Sequence, residues 1–212
     1  MCGRYVINDD WDVDEIAKIL RDIDRKYSGT GITAKTGEIF PTNSVPTLSI
    51  INRKPELSLM KWGFPKWDSK GVIINAKSDT AADKRMFSKS LAQRRCVISS
   101  TGFYEWARSN GKAKEKYRFN SAGSPMLYMA GVYTEYSDNT QDELIKERFV
   151  ILTRSANETV SDIHDRMPVI LYKDELVRWL SDYSFAEFAM RRDDTRLVRE
   201  VESAKSQLIL NP

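Results

Sequence analysis

The sequence predicts an α+β fold built as one domain of 212 residues. Three observations carry that expectation. Short apolar runs outnumber the stretches with helical spacing. The connections between those runs are short and hairpin-like, which joins strands mainly in antiparallel fashion and argues against a parallel βαβ array. The chain also shows no internal repeat, low-complexity tract or long linker, and its length is enough for one sizeable core.

The elements follow in order. Residues 9–24 read as an amphipathic helix: Asp9 or Asp10 can cap it, and Trp11, Ile16, Ile19, Leu20 and Ile23 recur at helical spacing. Residues 27–37, with Ser28, Gly29, Gly31 and Gly37, read as a loop. Apolar runs at 45–52 and 56–62 flank Asn52-Arg53-Lys54-Pro55 and predict a hairpin, after which Gly63-Phe64-Pro65 breaks the chain. A second helix fits 79–93. Strands are expected at 96–107, 115–120, 125–135 and 147–154, with Asn110-Gly111 as the turn between the first two. Residues 169–172 form a short apolar strand, and helices fill 174–181 and 184–191.

Composition removes several classes. The chain is 41% hydrophobic and 30% charged, as ordinary soluble domains are. It has no apolar run of about 18 residues, hence no expected membrane helix. The segment from Asp9 to Asp24 is acidic and no basic, apolar leader precedes it, so a cytoplasmic location is expected. Cys2 and Cys96 are the only cysteines and His164 is the single histidine. They make no disulfide framework and no closed zinc site, so neither metal nor cofactor is expected. The net charge of +3 is too small to announce nucleic-acid binding by itself. Positive residues gather at Lys84, Arg85, Lys89, Arg94 and Arg95 and again at Lys112, Lys114, Lys116 and Arg118; each run alone reads as a solvated surface patch.

Five islands carry chemistry. The chain begins Met1-Cys2-Gly3-Arg4, and the small residue at position 2 permits removal of Met1. A mature Cys2 would hold an α-amine and a thiol on adjacent carbons, each roughly a tenth nucleophilic at neutral pH by its free-solution pKa. Such a 1,2-aminothiol condenses with an aldehyde to a five-membered thiazolidine. In Trp62-Gly63-Phe64-Pro65-Lys66-Trp67, two tryptophans beside a turn can stack on bases or pack in the core. Asn75-Ala76-Lys77 follows the apolar run Val72-Ile73-Ile74, which puts an amide at a strand end and a cation two residues on. In Gly102-Phe103-Tyr104-Glu105-Trp106, a carboxylate sits among aromatic residues, where burial would raise its pKa toward that of a proton-transferring group. Alternation leaves open whether that side chain points inward or out to solvent. Ile163-His164-Asp165-Arg166-Met167-Pro168 holds the single histidine, best suited to proton transfer near neutral pH, with an arginine two residues away.

Together and in this order, these islands resemble the SRAP family, whose members process abasic sites in DNA. Phe40-Pro41-Thr42, Arg85-Met86-Phe87 and Arg95-Cys96 extend the resemblance over most of the chain. It implies a barrel-like β core flanked by helices, and a monomer whose partner is single-stranded DNA containing abasic sites. It implies a covalent thiazolidine between Cys2 and the ring-opened sugar, which would protect the lesion, with Asn75, Glu105 and His164 as its active-site companions. It further implies lyase-like crosslink chemistry, reversal of the crosslink and autoproteolytic processing of the N-terminus. DNA-backbone contacts map to Arg4, Lys77, Arg85 and Arg166, an aromatic wedge to Trp67 and Trp106, and a polar position beside the lesion to Thr153. Lysine at 77 replaces the family's usual arginine and loses the bidentate fork on phosphate. Ser99-Ser100-Thr101 departs from the Pro-Ala-Asp type that often precedes the glutamate motif. Two other readings start from the same residues: an N-terminal-cysteine amidohydrolase, and a noncatalytic single-strand binder built on the tryptophans and basic runs.

Overall fold

A computed structural model of the chain describes residues 2–8, 14–67, 70–107, 115–136 and 144–202. The architecture is α+β. The first strand, β1 (Arg4–Ile7), is followed by helix α1 (Asp14–Lys26), β2 (Gly37–Ile39), β3 (Ser44–Ile51) and β4 (Lys54–Trp62). Then come β5 (Phe64–Pro65), β6 (Val72–Ile73), β7 (Asn75–Lys77), α2 (Arg85–Gln93), β8 (Arg95–Ser100) and β9 (Gly102–Trp106). The second half holds β10 (Lys116–Ser121), β11 (Leu127–Glu135), β12 (Glu147–Ser155), β13 (Arg166–Pro168) and β14 (Ile170–Leu171). A 3-10 turn at Lys173–Glu175, α3 (Leu176–Ser181), α4 (Tyr183–Arg191) and β15 (Leu197–Val201) complete it.

Strands β12, β4, β3, β8 and β11 pair in succession, and β11 pairs again with β12, so this sheet closes into a ring. All of those pairings are antiparallel except β12 with β4, and β7 also adds to β12 in parallel. A second sheet, in the order β15-β10-β9-β1-β2, is antiparallel throughout. Both faces of this sheet are covered: the consecutive β12 residues Phe149, Val150, Ile151 and Leu152 alternate between the inside and the outside of the ring, yet each is fully buried, as are Val97, Met129 and Trp62. Closure removes the sheet edges that would otherwise need covering.

The β3–β4 hairpin turns through Asn52 and Arg53, at φ of 50° and 63°. Left-handed backbone at two successive turn residues suits the twist of the flanking strands, and asparagine tolerates it well. The expected strand 96–107 divides at Thr101 into β8 and β9, which lie in different sheets. Thr101 secures that corner: its hydroxyl donates to the Val6 carbonyl at 3.2 Å and accepts from the Asn8 amide at 3.1 Å. Gly102 follows because β10 passes so close that a Cβ would lie 2.4 Å from Asn120 Oδ1 and 2.8 Å from the Phe119 carbonyl.

Two further expectations are corrected, the start of the second helix and the place of Arg95, and others fall outside the described residues. Helix α2 begins at Arg85, with residues 79–83 forming turns ahead of it. The first helix runs Asp14–Lys26, and the proposed caps Asp9 and Asp10 and the apolar Trp11 lie outside the described residues, as does the Asn110-Gly111 turn. Arg95 belongs to no surface patch. It is 5% exposed, and its guanidinium donates to the carbonyls of Leu91 and Ala92 at the end of α2 and of Trp179 and Leu180 at the end of α3. Helix ends leave such carbonyls without intrahelical partners and carry partial negative charge, so one buried cation locks two helices onto the barrel.

No described helix is long and apolar enough to cross a membrane. Replacing Arg95 with leucine would strand those four carbonyls away from water. The expected loss is roughly 3 kcal/mol of unfolding free energy, read as a lower urea midpoint at unchanged slope.

Candidate functional site

The N-terminal strand is held on both sides. Tyr5 lies opposite Ile39 of β2 and Phe103 of β9, and Arg4 lies opposite Tyr104. Continuing that antiparallel register carries Cys2 toward the Glu105 end of β9. From the barrel, β7 lies beside β12 with Asn75 opposite Ile151. The Asn75 side-chain Nδ2 donates to the Cys2 carbonyl at 2.9 Å, which ties the chain's beginning to the rim of the ring.

Cys2 is fully buried, and its Sγ lies 3.8 Å from the Arg4 carbonyl. Burial pushes the thiol well above its ordinary pKa, and the nearby Glu105 carboxylate adds to that; the N-terminal ammonium and a backbone hydrogen bond with Arg4 act the other way. The free-solution thiolate fraction expected from the sequence is therefore corrected downward: in the folded chain with Met1 in place, burial holds the sulfur as a protonated thiol.

Glu105 points inward with the Phe103 face of β9 and is 3% exposed. Burial raises its carboxyl to about 7; the N-terminal ammonium offsets part of this and Asp165 adds to it. His164 reaches the same spot from the β12–β13 connection. That loop is closed by the Ala156 amide donating to the Asp165 carbonyl at 3.0 Å and the His164 amide to the Val160 carbonyl at 2.9 Å. Its Nε2 lies 3.9 Å from Glu105 Oε2. Nδ1 accepts from the Arg166 amide at 3.0 Å and also sits 3.0 Å from Asp165 Oδ1. An accepting Nδ1 places the ring proton on Nε2, toward Glu105, whereas a protonated Nδ1 faces the Asp165 carboxylate. The two contacts therefore belong to different protonation states, and the ring can present a proton on either side.

A cation lies beside this cluster. The Arg166 guanidinium donates through Nη2 to the Thr153 carbonyl at 2.5 Å and lies 3.3 Å from Asp79 Oδ1. Its Nε is buried without a partner. Thr153 is fully buried on β12 opposite Lys77, which is exposed at the end of β7. Asn75, Lys77, Thr153 and Arg166 thus share one corner. Arg4 lies along the rim, its guanidinium 4.1 Å from the centre of the Phe40 ring and 5.1 Å from that of Trp106.

The two tryptophans of the second island divide. Trp62 is fully buried, stacked on Phe149 and donating to the Ile74 carbonyl at 3.0 Å, whereas Trp67 is 98% exposed. Arg85 is exposed at the first turn of α2, and no hydrogen bond or ion pair among the described residues links it to the cluster. Ser100 donates to the Leu127 carbonyl and Thr101 holds the corner described above, so this departure from the family's usual segment serves the sheets. Asp165 and Asp79 also face this cluster, with no role assigned to either from the sequence. Asp165 sits inside the histidine island and could have been named from it, while Asp79 meets Arg166 only through the fold. Among the described residues no group of three or more histidine, cysteine or carboxylate side chains is placed to hold a metal ion.

The family model for SOS response associated peptidase (SRAP) matches residues 1–206. The chain is 32% identical over 186 residues to the abasic site processing protein YoqW of Bacillus subtilis, covering 85% of this chain and 80% of that one. It is 28% identical over 181 residues to the abasic site processing protein YedK of Escherichia coli, covering 85% and 79%. Among solved structures, a protein from Bacteroides thetaiotaomicron superposes with a TM-score of 0.71 at 24% identity, over 94% of this chain and 91% of that chain. A phage-related protein from Bordetella bronchiseptica gives 0.70 at 23%, over 94% and 93%. These two likenesses establish the fold.

The raised Glu105 pKa has a consequence for stability. Between 4.5, its ordinary value, and about 7, the folded protein holds a proton that the unfolded chain has released. Unfolding stability therefore falls as pH rises through that window. Glu105→Gln removes this dependence and is expected to gain up to roughly 3 kcal/mol at pH 8 relative to the native residue. Urea melts of both proteins at pH 5 and pH 8 measure it; parallel pH dependences would show that the carboxyl titrates normally.

Proposed function

The chain belongs to the SOS response associated peptidase (SRAP) family, and from that premise we propose that it captures abasic sites in single-stranded DNA as a covalent thiazolidine on mature Cys2. The observation that carries this reading is convergence. Strand β1, strand β7, strand β9 and the β12–β13 loop deliver Cys2, Asn75, Glu105 and His164 to one rim, with the Glu105 and His164 side chains 3.9 Å apart. The names of YoqW and YedK as abasic site processing proteins support the substrate.

The residues account for each step. An abasic sugar is mostly a closed hemiacetal. Opening it requires a proton removed from the C1′ hydroxyl and one given to the ring oxygen, work suited to a neighbouring carboxyl and imidazole. A carboxyl near 7 is present in both protonation states at neutral pH, so Glu105 can give or take a proton. Once Met1 is removed, the Cys2 α-amine adds to the aldehyde carbon. Protonation of the resulting hydroxyl lets it leave as water and gives an imine. The Cys2 sulfur then bonds to the imine carbon, and the thiol proton passes to the nitrogen. Aldehyde and aminothiol thus become thiazolidine and one water. The buried thiol need not ionise beforehand, because its proton leaves as the carbon–sulfur bond forms. Closing the ring removes the imine that would promote β-elimination, so the strand stays intact. Asn75 holds the Cys2 carbonyl and so orients the attacking amine.

Lys77 and Arg166 flank the cluster as phosphate partners, and the exposed indole of Trp67 is free to stack on a base. Reversal of the crosslink would use Glu105 and His164 in the opposite sense, by microscopic reversibility.

Processed protein mixed with an abasic single strand should leave a band of reduced mobility on a denaturing gel, and intact DNA should not. Cys2→Ser should abolish the stable band, since no thiazolidine can close; an undiminished yield would refute the linkage. Glu105→Gln and His164→Ala should each slow adduct formation by at least tenfold. Their double mutant should be little worse than either alone, because both serve one proton-transfer unit. Multiplying defects in a quench-flow time course would place the two residues in separate steps.

A further inference from the structure

Beside Cys2, on the face of β9 opposite Glu105, lies a group that the lesion chemistry does not use. The face carries Tyr104 and Trp106, with Arg4 across from Tyr104 on one side and Lys116 across from Trp106 on the other. Glu38, from β2, joins the two cations. Its Oε1 accepts from Arg4 Nη1 at 3.1 Å and from Lys116 Nζ at 2.8 Å. Both cations also lie over aromatic rings: Lys116 Nζ is 3.8 Å from the centre of Tyr104 and Arg4 is between Phe40 and Trp106. The rings and strands hold the cationic heads in place whether or not a carboxylate is between them. One further donor waits there, because Arg4 Nε is buried with no partner.

We propose that Glu38 is an exchangeable stand-in for a DNA phosphate: it occupies a two-cation anion site made by Arg4 and Lys116, and a backbone phosphate of single-stranded DNA displaces it. This rests on the proposed DNA substrate and adds Lys116 and Glu38 to its binding surface. Three observations favour exchange over a fixed structural bridge. The side chains of Arg4, Glu38 and Lys116 remain 31%, 31% and 21% exposed, so an incoming anion can reach them. At that exposure water and salt still screen the ion pairs, so an incoming phosphate can compete with the carboxylate for the two cations. The half-exposed Phe40 and Trp106 rings around the cations also offer stacking faces to bases next to the bound phosphate. In this arrangement Glu38 lowers affinity for any single strand, because binding must first evict it. Strands held at the lesion by covalent capture feel that penalty least, so the carboxylate trades general affinity for selectivity.

The test uses the full chain and an intact oligothymidylate, which cannot crosslink, so that reversible binding is read alone. By fluorescence anisotropy, Glu38→Gln should bind roughly fivefold tighter at 50 mM salt. Its dependence of log affinity on log salt should be steeper by about 0.7 for each cation freed. Glu38→Ala should behave like Glu38→Gln, since the charge is what matters, and adding Lys116→Met to Glu38→Gln should return the affinity and slope toward the wild type. Unchanged or weaker binding by Glu38→Gln and Glu38→Ala would overturn the proposal and mark Glu38 as a residue that positions Arg4. The adduct assay on abasic DNA is read separately. Tighter binding by Glu38→Gln with no adduct from any variant would refute the abasic-site reading and leave the anion site standing. Adduct formation with unaltered binding by Glu38→Gln would do the reverse.

Discussion

The antiparallel pairing of β1 with β9 is the constraint on which the rest of the site depends. It lays the first residues of the chain against the strand that carries Glu105, and Asn75 then clamps the Cys2 carbonyl from the barrel side. A chain terminus is ordinarily the least ordered part of a domain unless it is tied into a sheet. Here the terminus is a central strand, with β2 on one side and β9 on the other. In the proposed reaction, with Met1 removed, Cys2 stands just ahead of such a strand, positioned as firmly as an internal residue yet carrying an α-amine that no internal residue possesses.

That placement also sets the electrostatics. The same burial that raises the Cys2 thiol raises the Glu105 carboxyl, and the consequences differ. A thiol that stays protonated is a poor first nucleophile, so in the proposed reaction the amine attacks first and sulfur addition is the closing step. A carboxyl brought near neutrality gains the ability to donate a proton as well as accept one. The two ring nitrogens of His164 face different carboxylates, Glu105 and Asp165.

Much of this was legible in the sequence, and the failures have physical reasons. The β3–β4 hairpin could be read because its turn residues, Asn52 and Arg53, and both its strands are contiguous. The short strands β1, β2, β7 and β13 gave little local signal, because each is defined by a partner far away in sequence: Tyr5 by Ile39 and Phe103, Asn75 by Ile151, Arg166 by Ser155. The site islands were visible by residue type, but alternation alone could not say which face of β9 was inward. Both faces of β9 are covered, so Glu105 at 3% exposed and Tyr104 at 4% are alike buried, which only tertiary packing decides. Arg95 misled for a related reason. In sequence it extends a basic run, whereas in the fold it meets the carbonyl ends of two helices that only tertiary packing brings together. Glu38 carried no signal, and Lys116 read only as part of a solvated basic run, because the two meet across Arg4 and β9 through strand pairing.

The central claim is that the Cys2 amine and thiol together take up one aldehyde. Mass spectrometry of a tryptic digest of the abasic-strand adduct tests it most directly. The account predicts that the modified peptide is Cys2-Gly3-Arg4, that its mass is the sum of peptide and DNA remnant less one water, and that borohydride leaves it unchanged because no imine remains. A modified peptide elsewhere in the chain, such as one bearing a lysine, or an adduct that gains two hydrogens from borohydride, would contradict it.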